Sequence, residues 1–255
     1  MLTAERRQMI LALLSGHPFL SISDLCAQLH FSESTLRRDL RTLEREGLLT
    51  CIRGGAVRND HPGCETPLSV RQNTNRGLKR AIAQRAAEMV EDNQVLFLDA
   101  STTVMEMIPF LKGKKHLTLI TCCLHTAVAV AQELDGCTLH CTGGSYHAPT
   151  ASLIGASAEE YVKRWFADTL FFSVNSVDAI NELTDQGEEV ARLKNVMLSQ
   201  AKKAVLLADA GKFGHTAVYR LGSLSDVSAI ITSPDPVFER ECWNEHRDKM
   251  IFAPA

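Results

Sequence analysis

The sequence predicts an α/β protein, with an N-terminal winged helix-turn-helix followed by a Rossmann-like, mostly parallel α/β domain. In the first 57 residues, three short helical segments precede a β-prone run that turns at Gly54-Gly55, which is the order of elements in a winged helix. From residue 78 onward, continuous apolar runs alternate with helical segments. That alternation is typical of a parallel sheet with helices on both faces.

Composition is that of an ordinary globular protein, but the charge is unevenly distributed. The 255 residues are 45% hydrophobic and 22% charged, with a net charge of −3 at pH 7. Residues 1–58 contain eight arginines and six acidic residues, whereas the remainder has a net charge of −5. This favours an anionic partner for the N-terminal part. Without a secretion signal or a membrane-length apolar run of roughly 20 residues, we expect a cytoplasmic protein with no membrane partner.

The first two helices are predicted from the spacing of their apolar residues. Thr3 can cap a first helix that Pro18 interrupts, with apolar residues on one face at Ile10, Leu13 and Leu14. The second helix has apolar residues at positions i, i+3, i+4 and i+7, namely Ile22, Leu25, Cys26 and Leu29. The second helix is short and amphipathic, and a third helical segment follows it closely, which fits a helix-turn-helix.

The third helical segment, which Ser32 can cap, separates two faces. At about 100° per residue, one side collects three leucines, Leu36, Leu40 and Leu43. The opposite side carries Ser34, Arg38, Arg41 and Arg45, with Arg37 on its flank. Because the major groove admits one helix, and arginine donates to guanine or to phosphates, this face fits DNA. The alternative is an ordinary solvated face, with which Glu44 and Glu46 are consistent.

The run "LLTCIRGGAV" predicts a hairpin, and Arg53 lies where such a wing reaches backbone phosphate. We therefore assign DNA contact to Ser34, Thr35, Arg37, Arg38, Arg41, Arg45 and Arg53. The polar stretch that follows contains Pro62, Gly63 and Pro67, which indicate a linker. The expected organisation is a DNA-binding domain at 1–57, a linker at 58–77 and a second domain at 78–255.

Small polar residues follow several predicted strands of the second domain. Ligands bind beyond the carboxyl ends of parallel strands, so we expect these residues to share one site. Hydroxyls beside helix-start amides favour an anion such as phosphate, and a lysine would add a cation. The candidate effector-binding residues are Asp99, Ser101, Thr102, Thr103, Thr121, Gly143, Gly144, Asn175, Asp178 and Lys212. Taken singly, each hydroxyl is explained equally well as a helix cap and each glycine as a turn.

Cofactor and metal binding are not expected. Eight cysteines are present without a C-x-x-C pair, which indicates reduced thiols in a cytoplasmic protein. In "CTLHC", a strand would turn His140 away from Cys137 and Cys141. Packing is therefore favoured over metal binding at that segment.

The N-terminal part resembles the DNA-binding domain of the DeoR-type family of bacterial regulators of sugar metabolism. Arg6, Ile10, Leu14 and "SESTLRRDL" fall at the spacing of that family, and "EGLLTCIRGGAV" resembles its wing. The body resembles the sensor domain of the same family through "LDASTT", "LTLIT", "TGG", "SVNSVD" and "LADAGKFG". That domain is similar in fold to ribose-5-phosphate isomerase and glucosamine-6-phosphate deaminase.

The resemblance implies a repressor of a carbohydrate or sugar-acid operon that binds a double-stranded DNA operator as a homo-oligomer, either dimer or tetramer. A phosphorylated sugar or sugar acid would release it, and Lys194 of "EEVARLK" joins the effector-binding candidates. Val190 stands where the family usually has an acid, and Ala210-Gly211 stand where Ser-Ser is frequent. These differences imply an altered ligand pocket.

An enzyme is the alternative from another class. A sugar-phosphate isomerase or deaminase with an accessory N-terminal domain needs a general base, for which Asp178, Glu188 and Glu189 are candidates. Asn175 stands where the similar isomerases have a carboxylate, and an amide cannot titrate. We therefore expect a chain without enzymatic activity. A third reading, an oligomerisation domain that binds no ligand, is also open.

Overall fold

The computed structural model of the chain describes residues 3–15, 17, 19–45, 48–52, 54–58 and 68–254. The chain divides into two compact units, Met1–Thr66 and Pro67–Ala255. In the described residues, no helix has both the length and the apolar character needed to cross a membrane.

The first unit is a winged helix-turn-helix, as predicted. Its elements in chain order are α1 (Thr3–Ser15), β1 (Leu20–Ser21), α2 (Ile22–Leu29), α3 (Glu33–Arg45), β2 (Leu49–Ile52) and β3 (Gly55–Arg58). The three strands pair antiparallel in the order β1-β3-β2. The helices enclose a core of apolar side chains that are almost completely buried, including Ile10, Leu14, Leu25, Leu36, Leu40 and Leu43.

Local sequence signals set the boundaries of these elements. The Ser21 side chain accepts a hydrogen bond from the backbone of Asp24 and closes a capping box that starts α2. His30 ends α2 in the left-handed conformation, with φ of 56°. At the wing, a Cβ on Gly55 would lie 2.2 Å from the carbonyl oxygen of Leu20. Strand β3 can therefore approach β1 closely only because Gly55 has no side chain.

The second unit is an α/β domain whose helices are α4 (Leu68–Asn73), α5 (Arg76–Ala87), α6 (Thr102–Met105), α7 (Leu124–Glu133), α8 (Ala156–Val162) and α9 (Glu188–Ser199). Its first strands are β4 (Val95–Leu98), β5 (Thr118–Thr121), β6 (Thr138–Cys141), β7 (Ser145–His147), β8 (Ser152–Ile154) and β9 (Ala167–Phe172). The later strands are β10 (Ser176–Val177), β11 (Glu182–Asp185), β12 (Ala201–Leu207), β13 (Tyr219–Ser223), β14 (Ala229–Thr232) and β15 (Met250–Phe252).

A parallel seven-stranded sheet in the order β15-β14-β12-β9-β4-β5-β6 organises this unit. Because side chains alternate along a strand, neighbours in β4 enter different cores. Phe97 packs in a core with residues of α8 and α9, whereas Leu96 and Leu98 pack with residues of α5, α6 and α7. The predicted α/β class, with helices covering both faces of a parallel sheet, is confirmed.

Several elements differ from the sequence-based expectation. The segment expected to be a linker, 58–77, overlaps α4 and the start of α5, while 59–67 lies outside the described residues. The run "TTVMEMIPFL" at 102–111 predicts one helix, but it forms α6 followed by a separate 3₁₀ helix, Ile108–Leu111, which contains a proline at its start. The polar segment after Pro234, for which the sequence suggests no role, buries Trp243 completely and adds β15 to the parallel sheet.

Candidate functional site

The two faces of α3 are separated as predicted. Leu36, Leu40 and Leu43 are at most 2% exposed, whereas the residues on the exposed side are Ser34, Arg37, Arg38 and Arg41. Thr35 is half-buried at the edge of this side. Arg53 and the side chain of Arg45 lie outside the described residues.

Glu33 and Glu44 of α3 make different kinds of contact: Glu33 pairs with an arginine of the exposed face, and Glu44 binds the backbone of β2. Glu33 accepts from Arg37 at 2.6 Å in an exposed pair one helical turn apart, of the kind worth about 0.3–0.5 kcal/mol. The Glu44 carboxylate instead accepts a hydrogen bond from the backbone N–H of Cys51 at 2.7 Å. It thereby joins the end of α3 to strand β2. The presence of Glu44 was consistent with an ordinary solvated face, but its carboxylate makes a structural contact with β2.

Helix α3 carries a buried carboxylate, Asp39, that was not among the predicted functional residues. Asp39 is 1% exposed, and it forms ion pairs with Arg6 and, at 3.3 Å, with Arg7. Both arginines come from α1, more than 30 residues earlier in the chain. Two sequence features could have indicated these ion pairs: an aspartate next to the leucine stripe of α3, and two adjacent arginines in the first helix.

In the second unit, the ends of β4 and β9 meet at a buried cluster of charges. Asp99 is completely buried, and its two oxygens accept hydrogen bonds from the backbone N–H groups of Ser101 (2.9 Å) and Ser173 (3.0 Å). The Lys194 ammonium lies 3.4 Å from Asp99 and 2.8 Å from Asp185. It also donates to the Ser173 carbonyl at 2.7 Å. One lysine therefore pairs with two buried carboxylates.

Asp185 belongs to this cluster but was not among the predicted residues. It ends β11, a four-residue strand that the sequence analysis did not identify. Its second oxygen accepts from the backbone N–H of Asn175 at 2.9 Å, so Asn175 and Lys194 contact the same carboxylate. A cavity of about 10 Å³ lies beside the cluster and is lined in part by Ser152 and Lys194, which is room for about one water molecule.

Other predicted effector residues have contacts within the fold. The Thr121 hydroxyl donates to the Leu98 carbonyl at 2.8 Å and accepts from the Cys123 N–H at 3.1 Å. Asp178 accepts from the N–H groups of Ile180 and Glu182 and so closes the turn between β10 and β11. Each of these groups therefore already makes two hydrogen bonds in the folded chain.

The glycine and hydroxyl candidates also have local explanations. Gly143 and Gly144 adopt positive φ, and a Cβ on Gly144 would lie 2.4 Å from the carbonyl oxygen of Ile154. The Ser101 side chain accepts from the Val104 N–H at 3.2 Å and caps α6. Thr102 and Thr103 are buried in that same helix. Binding of a ligand by these residues remains a prediction.

Lys212 interacts electrostatically with a second lysine, Lys79, which was not among the predicted residues. Lys79 of α5 is 6% exposed and donates to the backbone carbonyl of Arg71. Burial, followed by the charge of Lys212, lowers the pKa of Lys79 to about 8. Burial also lowers the pKa of Lys212, although Asp209 opposes that shift. Two lysines whose pKa values are both lowered indicate a place where a negative charge is favourable.

The segment considered for metal binding is a packed strand. His140 exchanges a hydrogen bond with the Tyr161 hydroxyl at 3.0 Å, and its ring lies 4.6 Å from that of Trp165. Across the described residues, no group of three or more histidine, cysteine or acidic side chains is arranged to hold a metal ion.

Comparison with known proteins covers both units. Residues 6–61 match the DeoR-like helix-turn-helix domain, and residues 74–234 match the DeoR C-terminal sensor domain. The HTH-type transcriptional regulator GlpR of Haloferax volcanii is 36% identical over 232 residues, which cover 91% of this chain and 90% of that protein. A protein of Escherichia coli O157:H7 named putative aga operon transcriptional repressor is 27% identical, covering 90% of this chain and 86% of that protein.

A solved structure resembles part of the chain only distantly. Ribose 5-phosphate isomerase A from Methanocaldococcus jannaschii has 17% sequence identity and a TM-score of 0.41, and the match covers 55% of each chain. A likeness at this level carries no conclusion about activity.

Proposed function

Because this chain belongs to the DeoR family of transcriptional regulators, we propose that it is a cytoplasmic repressor of a carbohydrate or sugar-acid catabolic operon. A phosphorylated sugar-type metabolite releases it from a double-stranded DNA operator. The observation that carries the DNA-binding part is the exposed arginine face of α3, held outward by three buried leucines. Repression is supported by the name of the Escherichia coli relative.

Oligomerisation would place the arginine faces of two first units against one operator. Helix-turn-helix proteins bind two half-sites as dimers, so we propose that the second unit assembles the chain into a homo-oligomer. Arg38 and Arg41 are the side chains that we assign to base edges or phosphates within each half-site. Arg37, on the flank of this face, is assigned to DNA contact with them.

The lysine pair supports a phosphate as the part of the effector that is recognised first. A phosphate monoester carries a charge of about −1.5 to −2 at pH 7, and it would neutralise Lys79 and Lys212 together. Lys79 is buried and Lys212 is partly buried, so keeping both ammonium groups charged costs free energy that a bound anion would recover. The hydroxyl-bearing part of the effector would then extend toward the cluster of Asp99 and Lys194.

Replacing Lys212 tests the effector site. A thermal-shift screen of phosphorylated sugars and sugar acids identifies a ligand for the wild-type chain, and operator affinity is then measured with and without that ligand. We expect Lys212→Ala to abolish the weakening of operator binding by the ligand while leaving ligand-free operator affinity within about twofold. Lys203→Ala, at an exposed lysine of β12, should respond like the wild type.

Two results would contradict parts of this proposal. Equal release of Lys212→Ala and the wild type would remove Lys212 from the effector site. The absence of a thermal shift with every phosphorylated sugar and sugar acid tested would leave the DNA-binding part standing and remove the effector part.

The pKa of Lys79 predicts how effector binding depends on pH. The phosphate monoester loses its second proton near pH 6, whereas Lys79 loses its proton near pH 8. Binding therefore favours a protonated Lys79, and affinity should fall above pH 8 by up to about tenfold per pH unit. Isothermal titration calorimetry with the ligand from the screen should show proton uptake at pH 8.

Lys79→Met provides the control for this pH dependence. Without the Lys79 ammonium, affinity should be lower at pH 7 and should fall less steeply between pH 7 and 9 than it does in the wild type. A wild-type affinity that rises across this interval would place Lys79 outside the effector site.

A further inference from the structure

Helix α3 must be held at one rotation about its own axis if its arginines are to meet defined base pairs. The leucine stripe excludes other large rotations, but apolar contact is non-directional, and cores accept small readjustments. Directional contacts on either side of the stripe would fix the rotation more closely. The described part of α3 has such a contact on each side.

Asp39 and Glu44 lie on opposite flanks of the stripe. At about 100° per residue, Asp39 falls roughly 60° to one side of Leu36, and Glu44 falls roughly 80° to the other. Glu44 binds the Cys51 N–H of β2. Asp39 binds Arg6 and Arg7 of α1. The helix is therefore tied to α1 on one flank and to the wing on the other.

Arg6 of α1 contacts two residues at or near α3. Besides pairing with Asp39 in the middle of α3, its guanidinium lies 5.3 Å from the ring centroid of Phe31, which precedes the helix. One planar side chain therefore touches both the start and the middle of α3. The Arg6 side chain is 15% exposed and the Asp39 side chain 1%, so little of this pair is available to a DNA phosphate.

We propose that Arg6 is a positioning residue for DNA recognition, which sets the rotation of α3 through Asp39 and Phe31 and does not itself contact DNA. This inference rests on the proposed function, specifically on DNA reading by α3. A side chain that sets the rotation of α3 affects the discrimination between DNA sequences. A side chain that contacts phosphate affects all sequences equally and changes the salt dependence.

The test compares two duplexes bound by the full chain: one selected by the wild type from a random-sequence library, and a scrambled duplex of the same length and composition. We expect Arg6→Met and Asp39→Asn each to lower the ratio of selected to scrambled affinity by about tenfold. Affinity for the scrambled duplex and the slope of log K against log salt should not change. The double variant should lose less than the sum of the two single losses, because both substitutions remove the Arg6–Asp39 pair.

Arg6→Lys keeps the experiment informative if the other variants fold poorly. Lysine retains the ion pair with Asp39 but loses the planar contact with Phe31, and the ratio should stay within about threefold of the wild type. All affinities are measured below the melting temperature of each variant, which circular dichroism gives.

Three other results would contradict the positioning role of Arg6. A folded Arg6→Met protein with an unchanged ratio would make the contact purely structural. Equal losses on both duplexes with a shallower salt slope would make Arg6 a phosphate contact. If the wild-type chain selects no preferred duplex, DNA reading itself fails, and the positioning role fails with it.

Discussion

Replacing Arg38 and Arg41 together by alanine is expected to weaken operator binding by about 30- to 1,000-fold, or about 2–4 kcal/mol. Both side chains are exposed on α3, opposite the buried leucine stripe. Neither contributes to the apolar core of the first unit, so the variant should fold like the wild type. Fluorescence anisotropy on an operator duplex, with circular dichroism as a folding check, measures the loss.

The two single variants separate the roles of these arginines. A phosphate contact weakens all duplexes alike and reduces the salt slope by about one, whereas a base contact relaxes the preference at one base pair. Arg164→Ala, at an exposed arginine of the second unit, is the matched control and should bind like the wild type. Unchanged affinity in both Arg38→Ala and Arg41→Ala would mean that DNA meets another surface.

Lys194→Met is expected to destabilise the second unit by about 3–5 kcal/mol, because it leaves two buried carboxylates without their shared cation. Asp99 and Asp185 are 0% and 3% exposed, so the substitution leaves both negative charges buried. Chemical denaturation at pH 7 measures the loss.

A second lysine supplies the comparison for this result. Lys202 pairs with Asp168 at 2.7 Å, but its side chain is 71% exposed, and such pairs are worth about 0–1 kcal/mol. Lys202→Met should therefore cost much less than Lys194→Met. Equal small losses in both variants would show that the cluster around Lys194 is solvated and does not organise the ends of the strands.

The features that could be predicted from the sequence are those with a repeating pattern. The leucines of α3 recur at helical spacing, so their burial and the exposure of Arg38 and Arg41 followed from geometry alone. The central strands of the parallel sheet are continuous apolar runs, such as "VLFL" at β4, and were identified for that reason. Two-residue β10 and three-residue β15 are too short to show any pattern.

Pairings between distant residues could not be predicted in this way. Asp39 with Arg6, Asp185 with Lys194 and Lys79 with Lys212 join elements that only the fold brings together. The sequence indicates which polar residues lie at strand ends, but it does not indicate which side chains or backbone groups they contact. Thr121 and Asp178 were selected by the same rule, although their side chains satisfy backbone groups nearby.

Base analogues in the operator test most directly whether α3 reads the major groove. Replacing guanine by 7-deazaguanine removes the N7 acceptor from the major groove, and replacing it by inosine removes the amino donor from the minor groove. We expect 7-deazaguanine at one or more half-site guanines to weaken wild-type binding about tenfold and to have no further effect in Arg38→Ala or Arg41→Ala. Weakening by inosine alone, with every 7-deazaguanine tolerated, would contradict major-groove reading by α3.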